Sequence, residues 1–177
     1  MNEENGILHT NHPEWPHLSL LYEILMNVIS SPMIDMAIRK HYTTVPFVLF
    51  LISLFDTMDS DERIMLKTTI HRIYSKLTNR RATIRRAINH TFYEFLYESH
   101  RHYGISELLE ILASIINGFT VPIRSEHLQT LQKSLIPLHK MSSYEDYAIQ
   151  LSMCMSLFVQ KDPALSEMVF LFLYNHF

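Results

Sequence analysis

Residues 61–77 read DERIMLKTTIHRIYSKL and residues 105–119 read ISELLEILASIINGF. Both place apolar side chains three and four residues apart, the period of an amphipathic helix and not the alternation of a strand. At about 100° per residue, Leu66, Ile70, Ile73 and Leu77 of the first segment share one face, predicted to be core. Lys67, His71 and Tyr74 fall together on a flank of that face, and Arg72 points away from both. In the second segment Ile105, Leu108, Leu112, Ile116 and Phe119 form the core stripe. Glu107 and Glu110 lie opposite it, while Ile111 and Ile115 sit four apart toward one edge.

Between these segments lies RRATIRRAINHTFYEFLYE, residues 80–98. With the preceding helix it brings together Lys67, His71, Arg72, Lys76, Arg80, Arg81, Arg85 and Arg86. The whole chain is slightly acidic, with formal net charge −3. A local cationic patch on an acidic protein points to a specific anionic partner and not to general affinity for polyanions.

Outward from this centre the same period recurs. Leu18, Leu21, Leu25 and Ile29 predict a helix from about Trp15, after a flexible tail over residues 1–13. Further helices are expected over Ile34–His41 and Val45–Thr57, with Pro46 in a first turn. Asp59 with Glu62 has the form of a capping box for the Asp61–Leu77 helix. Thr78 and Asn79 read as a turn, followed by a long helix from Arg80 to Tyr103 closed by Gly104. Ser106 begins the next, closed near Gly118. Pro122 marks a loop, Ser125 is expected to cap a helix to His139, and Ser142 with Glu145 repeats the capping-box pattern. Asp162–Pro163 opens a last helix that runs to the C-terminus. The sum is an all-α fold of about nine helices with short loops, which make sequential helices antiparallel neighbours. Helical pairs of about 40 residues suit a solenoid of HEAT type, though no repeat is legible by self-similarity.

Composition narrows the function classes. Among 177 residues 47% are hydrophobic, enough for a packed core, and three glycines are few for a turn-rich β fold. The single cysteine, Cys154, excludes an internal disulfide framework and points to an intracellular setting. The longest apolar run, Val45–Phe55, is too short for a membrane-spanning helix. The histidines His71, His100, His102 and His127 show no metal-ligand spacing, and no nucleophile elbow or glycine-rich phosphate loop is present. Nothing implies a cofactor or catalysis. Nucleic-acid binding lacks both an overall basic charge and an aromatic platform among the arginines.

Spacing alone leaves two readings of the patch open. His71 and Tyr74 are ordinary boundary residues beside a solvated arginine face, or the flanks of the two helices oppose each other. The second gives an apolar slot rimmed by cations, suited to a short peptide with aliphatic anchors and carboxylates or phosphates.

The blocks WPHLSLLYE, LFDTMDSDER, LKTTIHRIY, IRRAIN, FYEFLYE, GISELLEILASIINGF, EHL and LIPLHK occur in an order that resembles the regulatory B-prime, or 56-kilodalton, subunit family of protein phosphatase 2A. The resemblance covers Glu14 to Phe177. It implies a HEAT-like helical solenoid over residues 14–177, without the family's first helices and its C-terminal half, and an apolar end, FLFLYNHF, where a solenoid normally carries a polar cap. It also implies a non-catalytic subunit, cytoplasmic or nuclear, that recruits substrates to the phosphatase. The implied partners are the scaffold subunit, the catalytic subunit, and substrates or adaptors with Leu-x-x-Ile-x-Glu motifs, often phosphorylated. Carried onto this sequence, the peptide-binding residues are His71, Arg72, Tyr74, Arg81, Ile111, Ile115, Arg124 and His127. Arg124 stands where the family usually has lysine, and Ser75 where it usually has glycine. An alternative is an adaptor or competitor that binds motifs without assembling with the phosphatase core, and a third reading is a purely structural helical protein.

Overall fold

A computed structural model describes residues 13–174. The tail expected over residues 1–13 lies, apart from Pro13, outside the described residues, as does the end of the last helix over residues 175–177. The first helix, α1, spans Trp15–Ser30 with Pro16 in its opening turn, where a missing N–H costs nothing. The second, α2 (Met36–Tyr42), starts later than expected because Asp35 caps it, accepting the Ala37 N–H at 3.0 Å. The third, α3, covers Val45–Ser53, capped by Thr44 Oγ1 on the Phe47 N–H, and ends in a 3₁₀ turn over Leu54–Asp56.

Helix α4 spans Ser60–Lys76, and Asp59 caps it by accepting the N–H groups of Asp61 and Glu62 at 2.9 and 3.3 Å. The return half of the capping box is not made. Glu62 instead accepts the Tyr22 hydroxyl of α1 at 3.1 Å, a bond that ties two helices together. After a 3₁₀ turn over Thr78–Arg80, α5 covers Arg81–Glu94 and passes into a π turn over Phe95–Ser99. It stops at His100, whose φ of 51° is left-handed, and not at Tyr103.

Gly104 is therefore not the helix stop expected. A Cβ on it would lie 2.5 Å from the Phe55 carbonyl oxygen, so it is glycine because the backbone of the α3–α4 connection passes against it. Helix α6 spans Ile105–Asn117. The next helix, α7, runs through Ser125–Thr130, a π turn over Leu131–Leu135, and Ile136–Leu138. Ser125 is its first residue and makes no cap. The second expected capping box also fails, since Ser142 and Glu145 flank a 3₁₀ turn over Tyr144–Asp146. The buried Tyr147 hydroxyl donates to the Leu138 carbonyl at 3.0 Å and pins the chain, so α8 begins only at Ala148 and ends at Lys161. Asp162 accepts the Ala164 N–H at 3.1 Å ahead of α9, Leu165–Tyr174.

The described residues thus form nine helices and no strand, all-α as expected. They stack in two rows. Helices α1, α4, α6 and α8 pack side by side in one row, and α3, α5 and the π turn of α7 in the other. This is a helical solenoid, in which each helical pair touches only the pairs before and after it. The predicted core face of α4 is where expected: Leu66, Ile70, Ile73 and Leu77 are fully buried. So are Leu108 and Ile116 of α6, while Phe119 is half-buried.

Candidate peptide-binding site

The α4–α6 seam is laced by side chains on one face of each helix. Arg63 pairs with Glu107 at 2.8 Å, Lys67 pairs with Glu110, and His71 Nε2 lies 3.0 Å from Ser114 Oγ. Arg63, Lys67 and His71 are four apart, so they form one row along α4. Glu107 and Glu110, expected only to lie opposite the α6 core stripe, face these cations. Lys67 is thereby committed to Glu110, whereas His71 stays exposed at the end of the row.

A second cluster forms where α4 ends, α5 begins and α7 begins. Arg81 Nε donates to the Tyr74 carbonyl at 2.9 Å, and its guanidinium lies 5.2 Å from the centroid of the Tyr74 ring. One Nη donates to the Ser75 carbonyl at 3.4 Å. The C-terminal carbonyls of α4 carry partial negative charge, which fixes this cation at the turn. Two of its five N–H donors are used, and the remainder are available to an anion. Arg85 donates to the Tyr74 hydroxyl at 3.3 Å and to Glu126 at 3.2 Å. Glu126 in turn lies 3.6 Å from His127 Nε2. The His127 ring stacks on Phe119 at 3.7 Å between centroids, with 8° between planes. Burial pushes the His127 imidazole below its ordinary value; Glu126 opposes this, and Arg85 and Arg124 add to it.

The structure thus joins Tyr74, Arg81 and His127 through two residues that sequence reasoning did not assign to the site, Arg85 and Glu126. It places His71 beside Ser114, also unassigned. Arg72 and Arg124 are exposed, and their side chains make no hydrogen bond or ion pair among the described residues. Ile111 and Ile115 are 1% and 3% exposed, so the open aliphatic slot expected at the edge of α6 is filled in this conformation. The reason is that α6 packs on α4 at one side and on α8 at the other, which covers both edges of its stripe. A cavity of about 460 Å³ adjoins the cluster between α5 and α7, with Arg85, Arg86, Glu126, His127 and Lys133 at its wall.

Other chemistry finds little support here. Cys154 is buried, donates to the Leu109 carbonyl at 3.3 Å, and has its thiol pushed up to about 12 by burial, so it is inert. Among the described residues no three His, Cys, Asp or Glu side chains gather as metal ligands, and no helix is long and apolar enough to cross a membrane.

A helical-repeat protein that presents arginines and histidines across its seams belongs to the class that binds other chains, and comparison with known proteins identifies which. Residues 2–177 match the profile of the protein phosphatase 2A regulatory B subunit (B56 family). The chain is 52% identical over 156 residues to the serine/threonine-protein phosphatase 2A regulatory subunit psrA of Dictyostelium discoideum, covering 88% of this chain and 25% of the relative. It is 49% identical over 157 residues to the theta isoform of the 57 kDa B' regulatory subunit of Arabidopsis thaliana, covering 89% and 32%. It is 50% identical over 155 residues to the delta isoform of the human 56 kDa regulatory subunit, covering 88% and 26%. The chain belongs to the B56 family, and it spans about a quarter to a third of the length of these relatives.

Proposed function

We propose that this chain is a non-catalytic regulatory subunit of protein phosphatase 2A that recruits substrates through short acidic or phosphorylated motifs of Leu-x-x-Ile-x-Glu type. The observation that carries the reading is the Arg81 guanidinium, immobilised by the Tyr74 carbonyl and ring with donors left over. An arginine fixed in advance loses little entropy on gripping a carboxylate or phosphate. His71, Arg72, Arg85, Arg124 and His127 supply the remaining polar contacts, and Tyr74 the aromatic wall. Ile111 and Ile115 would take aliphatic anchors only after a small opening of the α4–α6 seam, so ligand binding includes a local adjustment.

A fluorescein-labelled peptide of this motif is expected to bind with roughly micromolar Kd, about −8 kcal/mol. Polarisation titrations of wild type against a His71→Ala, Arg81→Ala double variant test the site, with a loss on the order of 1.5–3 kcal/mol for each charged contact. Equal affinities would remove the assignment.

A second reading is favoured by the share of the relatives' length that the chain spans. It holds that the chain occupies motifs without delivering a phosphatase. Pull-down with scaffold and catalytic subunits separates the two, because recovery of an active trimer excludes a pure competitor. Either role would be exercised in the cytoplasm or nucleus, where the phosphatase's substrates reside.

A further inference from the structure

The cationic cluster contains a carboxylate of its own. Glu126 stands in the first turn of α7, next to His127, and one oxygen serves two donors. Its Oε1 lies 3.2 Å from Arg85 Nη2 and 3.6 Å from His127 Nε2. The two sides of this arrangement are built differently. The Arg85 and His127 side chains are 22% and 10% exposed, and each is held from behind, Arg85 by the Tyr74 hydroxyl and His127 by the Phe119 ring. The Glu126 side chain is 56% exposed and makes no other hydrogen bond or ion pair among the described residues. The cations are therefore a fixed seat and the carboxylate a solvated occupant of it.

We propose that Glu126 is an internal stand-in for a ligand's acidic group: it fills the seat made by Arg85 and His127, and an acidic peptide displaces it in order to bind there. The inference rests on the reading of this face as a peptide site. An exposed ion pair of this kind is weak, so Glu126 sets a threshold and not a block. Released into water at a helix N-terminus, the carboxylate still benefits from the helix dipole, which keeps the displaced state accessible. Neutral peptides lack the group that evicts it, so the residue selects acidic ligands over merely apolar ones, a device of specificity by competition. Arg85 becomes a direct ligand contact in the displaced state.

A double-mutant cycle tests this with the labelled Leu-x-x-Ile-x-Glu peptide carrying acidic flanks, using wild type, Glu126→Gln, Arg85→Ala and the double variant. Gln keeps the size of the side chain and removes its charge. The expected result is that Glu126→Gln binds about two- to fivefold more tightly, the factor corresponding to one exposed ion pair. In the Arg85→Ala background the same substitution should bring no gain. A gain that persists without Arg85 reports only the loss of a negative charge from the surface and overturns the proposal. Unchanged or weaker binding by Glu126→Gln also overturns it, because Glu126 would then hold Arg85 in position. The underlying site reading is judged separately by Arg81→Ala: wild-type affinity unaffected by that change removes the site, whereas an Arg85–Glu126 cycle without coupling removes the stand-in alone. Absence of binding by both wild type and Glu126→Gln removes both. Equal thermal midpoints for the variants confirm that folding is not the cause.

Discussion

Replacing Gly104 by alanine adds one methyl group at the closest backbone approach in the solenoid. The new Cβ would sit 2.5 Å from the Phe55 carbonyl oxygen, 2.8 Å from its Cβ and 3.1 Å from its carbonyl carbon. Ordinary contact begins near 3.4 Å, so relief needs a shift of 0.6–0.9 Å, the differences from 2.8 and 2.5 Å. None of the obstructing atoms is the tip of a flexible side chain, and Phe55 is fully buried. The Tyr103 N–H, which donates to Asp56 at 3.0 Å, ties the same two segments and resists separation. The cost is that of overpacking, about 1–3 kcal/mol, or roughly 3–10 °C in Tm for a chain of this size. Gly104 has φ −99°, so conformational strain contributes nothing and the whole effect is steric. Gly118 serves as the control: its nearest obstruction is the Ile115 carbonyl at 3.4 Å and its φ is −85°, so Gly118→Ala should change stability by less than about 0.5 kcal/mol. Urea and thermal unfolding followed by circular dichroism at 222 nm measure both. Equal stability of Gly104→Ala and Gly118→Ala would refute the close-approach argument.

Acid should weaken the fold in the window just below the ordinary histidine value of 6.5. Burial pushes His102, His127 and His139 below that value. The unfolded chain then binds more protons than the folded one, so stability is present above pH 6.5 and is lost as pH falls toward the lowered folded values. Thermal midpoints taken from pH 7.5 down to 5 should decline, and a flat profile would contradict the buried neutral state of these rings. Cys154, with its thiol pushed up to about 12, should resist iodoacetamide in the native protein and react only on unfolding. Mass spectrometry after brief native labelling decides this, since rapid alkylation would mean that the core around α8 opens readily.

What could be read from the sequence was what a single helix determines. The α4 core face and the α6 stripe follow from period alone, because those residues meet the interior whatever the neighbours are. The Asp59 cap was equally legible, being local in both partners. Each miss depended on a second segment. Glu62 left the capping box for Tyr22, forty residues away. Gly104 answered to Phe55 and not to the end of its own helix. Ser142 and Glu145 matched a cap pattern, but the Tyr147 hydroxyl on the Leu138 carbonyl decided where α8 starts. Ile111 and Ile115 lay at the edge of a helical wheel, and whether an edge is open depends on how many helices flank it. Arg85 was visible only as one cation among several, and nothing within α5 distinguishes it. Its partner identifies it.

That partner carries a signal that helical period cannot supply. Tyr22 meets Glu62 at a separation of 40 residues, Arg85 meets Glu126 at 41, Lys67 meets Glu110 and His71 meets Ser114 at 43, and Arg63 meets Glu107 at 44. Asn89 with Ser134 and Cys154 with Leu109 both stand at 45. These are the lengths of one helical pair, so polar contacts beyond the local turn join equivalent places in successive repeats. The repeat is absent from self-similarity because core positions tolerate any apolar residue of suitable volume, whereas charge pairs between repeats are complementary and not alike. Opposite charges offset by about 40 residues are thus the trace a solenoid leaves in a sequence without visible repeats. The same offset explains where the site is. Tyr74, Arg81 with Arg85, and Glu126 with His127 come from three helices of the stack that are brought together only by its register. Whatever shears one repeat against the next separates Arg85 from Glu126 and His71 from Ser114 in the same movement. A ligand held across that seam therefore reads the register of the repeats as well as their side chains.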